Sequence, residues 1–331
     1  MSSPRAREGI TLADALTGGL EAELADDPRV MVLGEDVGTL GGVFRITAGL
    51  QERFGPGRVI DTPLAEAGLI GTAIGLALSG LRPIVEIQFD GFIYPAMNQI
   101  VTHLARLPAR LDEAGVVPVT VRIPVGGRIR ASEMHSESPE TFLVHSPDLR
   151  VIAASTPDTA GALLRAAIRS DAPTFFLEPK RQYRRRRISR SEVVPEVDAT
   201  RARVLRRGDG PVLISYGPSL DLATDAADRL AGQGVHVTVV DLVSLAPLDT
   251  TTILETVAAA GRVVIISEAP RPCSVASEVA AIIGVEAFDA LQAAPRLVTS
   301  PGRPYPVADE EDRFFPTAEQ VVDAVKETLR G

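Results

Sequence analysis

The chain has 331 residues, 45% of them hydrophobic, a formal net charge of −9 and one cysteine, Cys273. That length and apolar content suffice for two cores, so two domains are expected. The acidic balance excludes a broad nucleic-acid or anionic-membrane surface, and a lone cysteine excludes an internal disulfide framework and fits a reducing compartment, the cytoplasm.

The first residues, M-S-S-P-R-A-R-E, put charge where a signal peptide needs an apolar core, and no run reaches the roughly 20 apolar residues of a membrane span. Ile10, Leu12, Ala13, Leu16 and Leu20 recur at helical spacing, with Thr11 or Asp14 to cap, which predicts a helix over 10–25. Val30 to Leu33, closed by Gly34, read as a buried parallel strand. Glu35 and Asp36 follow in a glycine-rich loop that fits neither G-x-G-x-x-G nor the Walker pattern, so no phosphate loop is assigned. A helix over 46–54 and a strand over 58–61 lead into the stretch that organises the chain.

That stretch opens D-T-P-L-A-E and sets Glu66 ahead of an uncharged run over 67–81. Gly68, Gly71, Ala73, Gly75 and Ala77 would let neighbouring backbone come close, which predicts a helix clasped by other elements with a buried carboxylate at its mouth. Pro83 then turns the chain into a strand over 84–89, followed by a helix over 94–107. Glu66 has two readings. A first-turn acid usually serves the helix dipole, stabilising it by about 0.3–1 kcal/mol. In a low-dielectric mouth it is instead a functional acid with tunable proton affinity. Residue type and spacing alone favour the first.

A strand over 117–123 precedes the loop P-V-G-G-R-I-R-A-S-E-M-H-S-E-S-P-E, which holds His135 where strand-end loops carry chemistry. Of the other histidines, His103 sits in a helical pattern and His236 between apolar residues, so both read as structural, while His145 is open to either reading. A strand over 151–154, a helix over 159–170 and a strand over 174–177 close the first domain. The basic run E-P-K-R-Q-Y-R-R-R-R-I-S-R, read as a solvated or interface segment, and the irregular residues after it place the boundary near 195, giving domains 1–195 and 196–331. Strand, helix and strand over 212–216, 220–231 and 235–240 follow, with a last strand over 262–270 leading to Cys273 and a helix over 317–329. Such alternation implies an α/β class with a parallel sheet and helices on both faces.

In order along the chain stand G-E-D-V-G, G-G-V-F-R, D-T-P-L-A-E-A-G, G-L-R-P-I-V-E-I-Q-F, H-S-E-S-P-E, S-T-P-D-T-A-G, E-P-K-R, S-Y-G, L-A-P-L-D and S-E-A-P-R. On these motifs, from about residue 8 to the end, the chain resembles the β subunit of the thiamine-diphosphate-dependent decarboxylase component of 2-oxo acid dehydrogenase complexes. The resemblance implies a transketolase-like fold, a pyrimidine-binding α/β domain with a smaller C-terminal α/β domain. It also reverses the reading of Glu66, which matches the family's carboxylate on the aminopyrimidine ring, where it favours the tautomer that deprotonates the thiazolium carbon. Phe92 matches the aromatic position against the pyrimidine, and Gln88 and Leu64 match lining positions. His135 matches the histidine near the reacting carbon, where it steadies charge and moves protons, with Glu137 expected to raise its pKa.

The family's diphosphate and magnesium half uses G-D-G followed by an asparagine pair. Here G-D-G occurs at 208–210, read as a turn, and the sole asparagine is Asn98, upstream of it. The resemblance therefore implies an α subunit supplying that half, no metal ligands in this chain, an α/β heterotetramer, and a lipoyl-bearing acyltransferase core as acceptor. H-S-E-S-P-E points to branched-chain 2-oxo acids, with pyruvate or acetoin as alternatives and a non-catalytic scaffold as the non-enzyme one. A nicotinamide or flavin protein lacks its glycine fingerprint here. The chain departs from its relatives at L-D-E-A-G, where S-G-G is usual and some build a potassium site, and at Glu137, where glutamine is common.

Overall fold

The computed structural model describes residues 9–111, 115–306 and 308–330. The N-terminal segment 1–8 and residues 112–114 of L-D-E-A-G lie outside them. Among the described residues the chain forms two sheets. The first runs β10(Ser244–Ala246), β5(Arg150–Ala153), β6(Thr174–Pro179), β4(Thr120–Val125), β3(Arg82–Glu86), β1(Val30–Gly34) and β2(Val59–Asp61) in space. The second runs β12(Arg296–Ser300), β11(Val263–Pro270), β8(Val212–Ser215), β9(Thr238–Asp241) and β7(Arg203–Arg206).

Strands β1 to β6 pair in parallel. Every residue of β1, β4 and β6 is buried, as apolar strands covered on both faces must be. The helix Leu12–Asp26 starts at Thr11, whose side chain and that of Asp14 form a reciprocal capping box. Its Leu12, Leu16 and Leu20 are fully buried in one cluster with Leu163, Leu164 and Ala167 of the helix Pro157–Arg169.

The parallel pattern fails at two edges. Strand β10 runs antiparallel on β5, so residues from beyond 195 complete the first sheet, and β7 runs antiparallel on β9. Both are short edge strands without an apolar run of their own, as is β12, also unanticipated. The helices Thr250–Ala260 and Val275–Glu286 also lie outside the elements that the sequence pattern predicts. The helix expected over 46–54 shrinks to Leu50–Phe54. That expected over 94–107 breaks into 3-10 turns Asp90–Ala96 and Leu104–Arg106, a π turn Gln99–His103 and a helical turn Leu107–Arg110. Pro95 and Pro108 each remove an amide donor there, which a continuous helix does not tolerate. G-D-G, expected as a turn, lies in the connection from β7 to β8 and bends at Asp209 and Gly210, with the Gly210 amide donating to the His236 carbonyl at 2.7 Å.

One apolar cluster joins the two sheets, with Val85, Val121 and Phe175 on one side and Val212 and Ile265 on the other. Buried polar contacts cross as well. Ser155 donates to Asp241 at 2.8 Å, and Tyr216 donates to Glu140 at 2.8 Å.

Candidate active site at the carboxyl edge of the first sheet

Because β1 to β6 are parallel, the loops leaving them collect on one edge. From β1 the chain passes to β2 on one side, whereas from the adjacent β3 it passes to β4 on the other. Connections diverging from neighbouring strands open a crevice at their carboxyl ends, the usual ligand position in such sheets. Glu35 follows β1, Glu66 opens the helix Glu66–Leu78 between β2 and β3, and Gln88, Phe89 and Phe92 follow β3. The His135 loop follows β4, and Lys180 follows β6.

The structure brings His135 and Phe92 together, with Phe89 as the third ring of the cluster. The imidazole centroid lies 4.2 Å from the Phe89 ring and 5.2 Å from the Phe92 ring, both edge-on. Ser132 Oγ stands 2.8 Å from His135 Nδ1, fixing the ring's orientation. Burial pushes the imidazole's pKa down, and the Lys180 ammonium adds to that. His135 is therefore neutral near pH 7. This corrects the expected role of Glu137, whose carboxylate takes the Tyr94 hydroxyl and has no part in the histidine's shift.

Behind the rings lie two buried ion-pair systems. Lys180 Nζ meets Asp90 Oδ2 at 2.6 Å with both side chains fully buried. Burial drives the Asp90 carboxyl up to about 7, against the pull of Lys180, and drives Lys180 down. Desolvation thus brings both groups toward a shared proton. Deeper, Arg122 on β4 spans Glu86 of β3 at 2.7 Å and Glu178 of β6 at 2.7 and 2.9 Å, and Tyr183 donates to Glu178 at 2.6 Å. Burial opposes the guanidinium's charge, and Glu178 and Glu86 overcome it. These contacts tie the three strands below the crevice together.

The Glu66 side differs from expectation. Glu66 is half-buried, and its helix is not clasped within this chain: Gly68, Thr72, Gly75 and Leu78 are exposed. Only one face, with Leu69, Ile70, Ala73 and Ala77, is buried. Gly68 and Gly75 permit close approach, but among the described residues no other element of this chain covers them. Burial pushes the Glu35 carboxyl up, with Asp36 and Glu66 adding repulsion, so Glu66 lies near the end of β1. Gln88 and Phe92 are half-buried, whereas Leu64 is 65% exposed and lines no enclosed wall here. His103 and His236, read as structural, are exposed, as is His145. Sequence reasoning missed Phe89, taken as strand, and the Asp90 and Lys180 pair, although F-D-G-F and E-P-K-R carry all three.

An aromatic-walled crevice with carboxylates at its mouth suits a flat, nitrogen-bearing ring. Among the described residues no group of three His, Cys, Asp or Glu side chains is placed to hold a metal ion, and no helix is long and apolar enough to cross a membrane. Fold and site together define a transketolase-type pyrimidine-binding subunit. Residues 8–186 match the family described as transketolase, pyrimidine binding domain, and residues 200–321 match transketolase, C-terminal domain. Relatives include the pyruvate dehydrogenase E1 component subunit beta of Leifsonia xyli, 43% identical over 99% of this chain and 98% of that one. The 3-methyl-2-oxobutanoate dehydrogenase subunit beta of Mycobacterium tuberculosis is 42% identical over 98% of this chain and 93% of that one. A split-gene transketolase solved as an inactive β4 tetramer shares the fold, with TM-score 0.78 over 97% of this chain and 99% of that one, at 22% identity. The chain belongs to the transketolase-like E1 β subunits of 2-oxo acid dehydrogenases, a thiamine-diphosphate-dependent family whose β subunit binds the pyrimidine part of the cofactor.

Proposed function

We propose that this chain works with an α subunit, as two α and two β chains, in the oxidative decarboxylation of a 2-oxo acid and acyl transfer to a lipoyl-bearing acyltransferase core. Domains 1–195 and 196–331 serve as pyrimidine-binding and C-terminal domains. The observation that carries this reading is the cluster of His135, Phe89 and Phe92 at the crevice between β1 and β3, with Glu66 at its mouth. Bound thiamine diphosphate supplies the electron sink for decarboxylation. Glu66 hydrogen-bonds the pyrimidine ring and exchanges a proton with it, and the partner covers the exposed helix around it. Phe92 offers an apolar face to that ring, with Gln88 and Leu64 as lining residues, Leu64 at the partner's side. His135, neutral near pH 7, accepts a proton or stabilises developing charge at the reacting carbon.

Two features bear on substrate. H-S-E-S-P-E favours branched-chain 2-oxo acids, while the names of relatives divide between pyruvate and 3-methyl-2-oxobutanoate at nearly equal identity. Reconstitution with the α partner and comparison of kcat/KM for 3-methyl-2-oxobutanoate and pyruvate tests this. A higher value for pyruvate overturns the branched-chain reading. Calorimetry tests the shared site: the isolated chain should bind thiamine diphosphate weakly even with magnesium, and tight binding by it alone overturns the division between subunits.

A further inference from the structure

The loop between β4 and His135 is an Ω-type loop closed at its neck, where the Gly126 amide donates to the Glu137 carbonyl at 3.0 Å. Two of its residues, Arg128 at φ 62° and Arg130 at φ 57°, hold the left-handed backbone that side-chain-bearing residues disfavour. The alternation turns consecutive amides inward, a concave arrangement that binds anions. A carboxylate from the other end of the chain fills it. Glu311, only 2% exposed, accepts from the Ile129 amide and from the Arg130 amide, each at 3.0 Å.

The segment bearing Glu311 is fastened around the loop. Tyr305 donates to Glu311, Arg128 donates to the Pro316 carbonyl at 2.5 Å, and the Arg128 guanidinium lies 5.3 Å from the Phe315 ring centroid. Phe314, Phe315 and Tyr305 stack edge-on or tilted among themselves. A Cβ at Gly127 would collide with the Phe315 ring, so the loop backbone and the segment touch directly. On its far side the loop presses on the turn that carries Phe92: a Cβ at Gly91 would stand 2.5 Å from the Met134 carbonyl oxygen. The order is thus C-terminal segment, loop, His135, aromatic turn.

We propose that Glu311 is a positioning residue: its carboxylate is the built-in anion of the 129–130 amide pocket, and through it the C-terminal domain sets where His135 stands. Glu311 acts through the loop amides that it holds. Its effect on the loop stands alone, whereas its effect on turnover rests on His135 being the functional histidine.

The test is Glu311→Ala in the full chain, read by amide hydrogen exchange, with sodium formate as a small replacement anion. Exchange across 126–137 should rise by about tenfold or more while the β1 to β6 core keeps its protection, and formate should bring it back. In the component reconstituted with its α partner, turnover should fall by about 10²-fold with cofactor affinity retained, recover in part with formate, and drop no further when His135→Ala is added. Unchanged loop exchange, or a rise that formate does not reverse, overturns the proposal. Loop exchange that rises while His135→Ala stays active upholds the anchoring by Glu311 and overturns only the role of His135. If Glu311→Ala fails to fold, Glu311→Gln, which keeps the shape and one acceptor, is measured the same way and should loosen the same amides to a smaller degree.

Discussion

The two sides of the crevice are built differently. On the His135 side, every group is braced within this chain: the imidazole by Ser132, Phe89 and Phe92, and the aromatic turn by the buried Asp90 and Lys180 pair. Beneath them Arg122 locks three strands. On the Glu66 side, the acid is half-buried, the helix behind it shows Gly68 and Gly75 to solvent, and its N-cap, Ala65, has no side-chain cap. One side is finished by the chain alone, while the other has the form of a surface awaiting contact. The contrast teaches that in a shared site preorganisation need not be shared evenly.

The largest effect expected is on the unfinished side. Glu66→Gln should cut turnover of the reconstituted component by about 10²–10⁴-fold, because an amide cannot exchange a proton with the pyrimidine. The melting temperature of the isolated chain should stay put, since no buried partner is lost. Proton–deuterium exchange at the cofactor's thiazolium carbon reads this directly, and an unchanged rate would return Glu66 to service of the helix dipole.

The finished side should answer in stability. Arg122→Ala leaves the Glu86 and Glu178 carboxyls buried without their cation, and urea unfolding should show a loss of about 3–5 kcal/mol. A loss below about 1 kcal/mol would mean that the three strands do not depend on this junction. His135→Ala should retain cofactor while lowering turnover by about 10²-fold, whereas His145→Ala, at an exposed position, should alter neither stability nor rate. An inactive His145 variant would move the site to the wrong side of the crevice.

A smaller effect belongs to the seam between the sheets. Asp241, 1% exposed and bonded to Ser155, is pushed up by burial from 3.8 to about 6. Between those values the folded chain keeps a proton that the unfolded chain has released, so the stability contributed by neutral Asp241 is complete below 3.8 and is lost as pH rises through about 6. Asp241→Asn cannot ionise, so its stability relative to the parent should improve by about 1–3 kcal/mol between pH 4 and pH 7. A constant difference across that range would refute this assignment. The smallest effect is expected from Glu137→Gln. Since Glu137 holds Tyr94 and not the imidazole, the pH profile of turnover should stay where it is.

Legibility followed the same divide. Long apolar periodicity made the helix from Leu12, β1, β4, β6 and the helix Leu220–Ala231 readable, because burial on both faces or along one stripe leaves a pattern in the chain. The short edge strands β7 and β10 left none, since antiparallel pairing at an edge demands neither length nor hydrophobicity. For Glu66, Phe92 and His135, ordered motifs carried the reading where composition could not. Phe89 was hidden in what looked like a continuing strand, and Lys180 in a basic run read as surface.

By itself, the sequence determined the α/β class, the family, the positions of Glu66 and His135 at strand ends, and that no asparagine pair follows G-D-G. Those are properties of residue order, and periodicity and motif spacing record them directly. Only the tertiary structure decided which charges are buried and what each one faces: that Lys180 and not Glu137 acts on His135, that Arg122 serves three strands, and that Glu311 reaches back across the chain to the loop amides. Electrostatic influence depends on distance and local dielectric, and both are set by folding between residues far apart in the chain.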